Sequence, residues 1–178
     1  MMTKTLAKQI KEIAEGNGQK DIAEKFLSRL KERSLTRDEN TQTHFCVYFL
    51  PFNPEMKQVF IGDHKKSGLW LVPGGHIDQG ENLFAATNRE ISEELGVANY
   101  FSEIPKPFLL TITHITNERQ SCKTHYDIWY LMETNGSNFQ VDFTEFHQVK
   151  WLSISEARKY VTDSSTLKSF EKIEKLYT

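Results

Sequence analysis

The chain of 178 residues has two cysteines, no surplus of basic residues and no long apolar run, and each shortage excludes something. Cys46 and Cys122 stand far apart without CxxC spacing. They read as reduced thiols of a cytoplasmic protein, not as a disulfide or zinc framework. Lysine and arginine number 22 against 24 aspartate and glutamate, for a formal net charge of −2 and a pI near 6.3. That balance argues against a nucleic-acid binder, whose footprint is a basic excess. The longest strongly apolar run, residues 45–50, falls far short of the roughly 20 residues a membrane helix needs. The opening stretch, MMTKTLAKQIKEIAEG, has no apolar segment of the kind a secretory signal carries. What is present suffices for a core: 38% hydrophobic and 12% aromatic residues, against 26% charged, exclude disorder and suit one domain with a small appendage.

The periodicity changes along the chain. Leu6, Ile10 and Ile13 recur at helical spacing, Gly16-Asn17-Gly18 breaks the pattern, and Ile22, Phe26, Leu27 and Leu30 resume it. Residues 1–42 are therefore expected to form a helical hairpin and a polar linker. Its apolar stripes would pack on the chain's own core or mediate a homodimer. Residues 43–178 form the main domain. Strands are expected at residues 44–50, 58–62, 70–72, 108–116, 124–133 and 149–152, with a turn at Pro51-Phe52-Asn53-Pro54. A helix is expected over residues 82–95. Ser153-Ile154-Ser155-Glu156 has the pattern of a capping box, and Leu167, Phe170, Ile173 and Tyr177 mark a last amphipathic helix. The order predicts an α/β fold, a mixed sheet covered on both faces.

The chemistry concentrates in Gly75 to Val97, GHIDQGENLFAATNREISEELGV. Gly74-Gly75 after Pro73 permits a tight turn and close backbone approach to a ligand, and Gly96 supplies a left-handed helix stop. Leu83, Phe84, Ile91 and Leu95 make one apolar stripe, beside which Glu90, Glu93 and Glu94 fall within about 100° of arc. Three carboxylates on one face repel each other, and those near the C-terminal end oppose the helix dipole. An isolated cluster of this kind is ordinarily a solvated face. A hard divalent cation, Mg²⁺ or Mn²⁺, would instead favour it. Arg89 lies one turn before Glu93 and can pair with it or with Glu81.

The whole stretch resembles the signature of the Nudix hydrolases, G-x5-E-x7-R-E-U-x-E-E-x-G-U with U aliphatic. The match falls on Gly75, Glu81, Arg89, Glu90, Ile91, Glu93, Glu94, Gly96 and Val97. The approach, Trp70-Leu71-Val72-Pro73-Gly74-Gly75, and the closing segment, Trp151-Leu152-Ser153-Ile154-Ser155-Glu156-Ala157, also look like the family's. The resemblance covers about residues 43–163 and implies an α/β/α sandwich around a mixed sheet. It implies hydrolysis of a nucleoside diphosphate linked to another group X, a small nucleotide-like substrate. Glu90 and Glu94 would be principal metal ligands, Glu93 a further ligand or the base, and the Gly75 carbonyl a backbone ligand. Arg89 and Glu81 would orient the set. In this family the base is sometimes a glutamate before the closing strand, and Glu145 is the candidate there.

Outside the signature, His76, His114, His125 and Asp127 are candidates for lining the phosphate pocket. Ordinary strand histidines, or a dedicated transition-metal site, are the alternative readings. Trp70, Phe52 and Tyr126 could stack on a base or simply pack. GGH after the proline resembles a bacterial subgroup to which no substrate is attached here. The proline that ADP-ribose hydrolases tend to carry about fifteen residues beyond the signature, and the coenzyme A signature, are both missing. An intact glutamate set disfavours a nucleotide-sensing domain without turnover, and a net charge of −2 disfavours an RNA 5′-end pyrophosphohydrolase.

Overall fold

Alternating β-branched and aromatic residues make Thr43–Asn53 a long strand, β1, on which the sheet is organised. A computed structural model describes residues 2–17, 19–116 and 121–177. Two helices, α1 (Met2–Asn17) and α2 (Lys20–Leu30), precede β1. It is followed by β2 (Gln58–His64), β3 (Leu69–Leu71), β4 (Gly74–His76), α3 (Leu83–Leu95), β5 (Leu109–His114), β6 (Thr124–Glu133), β7 (Phe146–Ser153), α4 (Ile154–Ala157) and α5 (Ser164–Leu176). The strand order is β3-β2-β1-β6-β5, with β4 also paired to β1 and β7 to β2. β1 and β6 run parallel from Thr43 opposite Thr124 to Phe52 opposite Glu133, and the other pairings are antiparallel. The mixed sheet and its two helical layers are those expected.

Alternation along β1 divides the core. Phe45, Val47 and Phe49 face α1, α2 and α3, joining Leu6, Ile10, Phe26, Ile91 and Leu95. Leu50 and Phe52 face the other way, with Val59, Ile61, Trp129, Phe170 and Ile173. Burying each such side chain contributes roughly 1.5–3 kcal/mol. The hairpin stripes thus pack on the chain's own core. Phe26 sits edge-on against Phe45 and Tyr126, at ring-centre distances of 5.6 and 5.1 Å. Gln19 clamps the outer strand β5, its Nε2 donating to the Leu110 carbonyl at 2.9 Å while its Oε1 accepts from the Leu110 amide at 3.2 Å. The expected linker is ordered too: buried Arg29 donates to the Ser34 and Thr43 carbonyls, and Glu39 accepts from the Leu35 and Thr36 amides.

Three local expectations are corrected. β1 continues through Pro51 to Asn53, where a turn was expected. The Phe52 carbonyl faces β6, so the missing Pro51 N–H points away from it. It falls in the gap between the β4 pairing, at residues 46–48, and the β2 pairing, at residues 52–53. Gly74-Gly75 is part of a short strand, not a turn, and the close approach at Gly74 is to β1 of this chain: a Cβ there, at φ +147°, would lie 2.4 Å from the Val47 carbonyl oxygen. α1 runs through Asn17, and Gly18, the last residue of the expected break, lies outside the described residues.

Candidate active site

Helix α3 is fixed at both ends by its own residues. The Asn82 side chain caps the start, accepting from the Ala85 amide at 3.0 Å, and Gly96 ends it in the left-handed conformation at φ 68°. The loop before β7 continues that end, with the Gln140 amide donating to the Leu95 carbonyl and the Asp142 amide to that of Glu94, at 2.7 and 2.9 Å. Leu83, Ile91 and Leu95 are buried as the stripe predicts, whereas Phe84 is only half-buried. Glu90 and Glu94 share the buried side, with 9% and 6% of their surface exposed, and Glu93 points outward.

Arg89 ties the acidic groups together. Its Nε and one terminal nitrogen donate to both oxygens of Glu81, at 2.8 and 2.9 Å, a bidentate pair. That terminal nitrogen also donates to the His76 carbonyl at 2.9 Å. The other donates to Glu90 at 2.8 Å and to Glu93 at 2.9 Å. One guanidinium therefore orients three carboxylates and the His76–Ile77 peptide, one residue beyond Gly75. A side chain at Gly75 would displace Glu90, since a Cβ there would lie 2.4 Å from a Glu90 oxygen. Glu94 accepts from the Gly74 amide at 2.8 Å.

The electrostatics are those of a site short of positive charge. Burial, then the charge of Glu93, pushes the Glu90 carboxyl up to about 7 against the pull of Arg89. Burial and the charge of Glu90 hold Glu94 well above the ordinary carboxylate range. Burial is the largest influence on Glu81 and raises its carboxyl, but the hydrogen bonds from Arg89 and the Asp78 amide, with the charge of Arg89, together hold it below that range.

These groups border an open cleft of about 1010 Å³, whose walls include Gly75, His76, Glu90, Glu93, Glu94, His125, Asp127 and Glu145. Glu145 is exposed, with an oxygen 3.6 Å from His64 Nε2, and its carbonyl accepts from the Lys65 amide at 2.9 Å. Asp127 is buried and accepts from Thr111 at 3.0 Å and Thr113 at 2.5 Å, while burial pushes its carboxyl up to about 7. Trp70 is a correction. Leu69 and Leu71 border the cleft, so strand alternation turns Trp70 to the opposite face, where it lies against Tyr160 at 5.0 Å. Phe52 and Tyr126 also lie in packed clusters and not among the cleft residues.

Sequence reasoning missed His44 and Cys46. Both are buried on β1, and with His76 and His125 they place one donor atom each within 4.8 Å of one another. The signal was the His-x-Cys alternation, which puts both residues on one strand face. What they stand opposite (His125 beside His44, His76 beside Cys46) depends on register.

The family model of the NUDIX domain matches residues 36–171. Nudix hydrolase 6 of Arabidopsis thaliana is 26% identical over 128 residues, 68% of this chain and 43% of that protein. The asymmetrical bis(5′-nucleosyl)-tetraphosphatase of Mus musculus is 33% identical over 89 residues, 49% of this chain and 58% of that enzyme. The chain thus spans about half the length of these relatives. Among solved structures, the E. coli dihydroneopterin triphosphate pyrophosphohydrolase superposes with a TM-score of 0.63 at 18% identity, covering 72% of this chain and 92% of that one. This last likeness is one of fold.

Proposed function

The chain belongs to the Nudix family, and from that premise we propose that it is a metal-dependent pyrophosphohydrolase of small nucleotide-like substrates. A nucleoside diphosphate linked to another group X would be cut by water into a nucleoside monophosphate and phosphorylated X. The observation that carries this reading is the intact carboxylate set locked by Arg89 at the edge of the cleft. The donor set fits a hard divalent ion. Glu90 and Glu94 are buried carboxylates that resist ionisation, and among the described residues Glu94 is held by an amide and not by a cation.

Glu90, Glu94 and the Gly75 carbonyl would hold Mg²⁺ or Mn²⁺, with Glu93 as a further ligand. When bound, such an ion neutralises diphosphate charge and lowers the pKa of a coordinated water. Arg89, itself held by Glu81, keeps the Glu90 carboxylate and the His76 carbonyl in position. Glu93 or Glu145 accepts the proton of the attacking water, both being exposed carboxylates at the cleft. His76, His125 and Asp127 form the inner wall against which the substrate rests. The free thiols Cys46 and Cys122 agree with a reducing, cytoplasmic setting.

The test is phosphate release from a panel of nucleoside diphosphate derivatives and nucleoside triphosphates, with Mg²⁺ and with Mn²⁺. Wild type turns over at least one class, and Glu94→Gln folds but loses most turnover. Near-wild-type activity of Glu94→Gln would refute the metal assignment. Comparison of Glu93→Gln with Glu145→Gln identifies the base, by which variant loses the acidic limb of the pH–rate profile, along which activity rises with pH.

A further inference from the structure

We propose that His44, Cys46, His76 and His125 form a second metal centre, distinct from the carboxylate set, that takes one zinc-like transition-metal ion. Three strands bring these residues together. His44 and Cys46 alternate onto one face of β1, β4 sets His76 opposite Cys46, and β6 sets His125 opposite His44. The three imidazoles form a closed triangle with ring-centre distances of 4.8, 4.9 and 5.2 Å. One donor atom from each of the four residues lies within 4.8 Å of all the others.

Two observations separate this cluster from strand histidines that merely pack. First, the Nε2 atoms of His44 and His125 are buried without any hydrogen-bond partner. These side chains are only 0% and 8% exposed, and a buried imidazole nitrogen left unpaired is costly unless something binds it. Second, His44 Nδ1 lies 2.8 Å from the Asn40 carbonyl, which can only accept, so Nδ1 carries the proton and Nε2 presents its lone pair to the cluster. A ring nitrogen held by a backbone carbonyl while the other faces the metal is the usual arrangement of a metal-bound histidine.

The chemistry of the donors selects the ion. Three imidazoles and a thiolate suit zinc and its soft neighbours and are a poor match for Mg²⁺, which demands oxygen. Tetrahedral zinc bonds of about 2.0–2.3 Å need donors roughly 3.3–3.8 Å apart, so binding draws the four together by rotation of side chains. The Cys46 thiol gives up its proton to solvent as the sulfur–metal bond forms. Arg37, at the cleft, opposes an added cation, and the Cys46 thiolate and the Asp127 carboxylate register-paired with it oppose Arg37. The ion would tie β4 to β1 and β6. It would thereby brace His76, whose carbonyl holds Arg89. His76 and His125 then shape the inner wall of the cleft through the metal. Cys122, with its sulfur 3.8 Å from His76 Nε2, lies at the margin and is not needed for the set.

The test uses the full chain, stripped by chelator under reducing conditions and then loaded with Zn²⁺ or Co²⁺. Wild type retains one equivalent of Zn²⁺ through desalting in excess Mg²⁺, and its Co²⁺ form shows a thiolate-to-metal charge-transfer band with intense visible bands of four-coordination. The charge-transfer band disappears in Cys46→Ser, zinc retention falls at least tenfold in His125→Gln, and Cys122→Ser leaves both unchanged. A Glu90→Gln/Glu94→Gln chain keeps the zinc, which separates this centre from the proposed catalytic one. Absence of a sulfur-to-cobalt band in wild type overturns the proposal, as does its persistence in Cys46→Ser or loss of zinc in Glu90→Gln/Glu94→Gln. Should Cys46→Ser fail to fold by circular dichroism, the wild-type spectrum and His125→Gln decide.

Discussion

Arg89 is the residue on which most of the proposed chemistry converges. Its five donors serve Glu81 twice, Glu90, Glu93 and the His76 carbonyl, a fork that the point charge of lysine cannot reproduce. Arg89→Ala leaves the mostly buried Glu90 without its cation, so a loss of about 1–3 kcal/mol in stability is expected. A fall in kcat of about 10²-fold or more is expected beside it, because the ligand geometry loosens. Arg89→Lys should recover the stability better than the rate, which denaturant melts and steady-state kinetics will separate. Asp127 makes a different residue-scale prediction. Burial raises its carboxyl to about 7, whereas in the unfolded chain it ionises near the ordinary value of 3.8. Between these values the folded state binds the extra proton, so this contribution is full in acid and is lost as pH rises towards 7. Metal-free Asp127→Asn should therefore lose less stability than wild type between about pH 4 and pH 7, by at most about 4 kcal/mol. Melting the two proteins side by side across that range checks the sign.

At the scale of elements, the signature works because a helix and a strand approach closely at Gly75. Gly75→Ala would drive a Cβ against a Glu90 carboxylate that Arg89 already pins, so the glutamate has to shift. The expected result is a modest stability cost, about 1–2 kcal/mol, with a much larger loss of turnover and weaker Mg²⁺ activation. Equal wild-type and variant Mg²⁺ titrations would argue that Gly75 and Glu90 do not act together. The C-terminal end of α3 was legible from sequence, since Gly96 acts locally, whereas the Asn82 cap at its start was found in the structure. The extent of β1 was not. Pro51 looks like a turn residue until the side on which its missing N–H falls is known, and that depends on where β4 stops and β2 begins.

On the scale of the whole molecule, the N-terminal hairpin is part of the core that supports α3. Phe26 is fully buried between Phe45 and Tyr126, and Phe26→Ala should cost about 3–5 kcal/mol in chemical denaturation. Removing residues 1–40 would uncover Phe45, Phe49 and the edge of β5 that Gln19 clamps, so the shortened chain should lose its cooperative unfolding transition. A truncated protein that melts like the full chain would show the hairpin to be an appendage.

The sequence by itself determined what depends on spacing along one element: the carboxylate face of α3, its Gly96 stop, the reach of Arg89 to Glu93, and the apolar stripes of the hairpin. These follow from helical period and local hydrogen bonding, which need no partner. Tertiary structure alone decided what depends on which strands are neighbours. It turned Trp70 away from the cleft, buried Asp127 among threonines of β5, seated the hairpin on the core, and gathered His44, Cys46, His76 and His125 from three strands. The physical reason is that strand pairing is non-local: register between segments distant in sequence is set by the packing of the whole sheet, and a one-residue slip would send every one of those side chains to the opposite face.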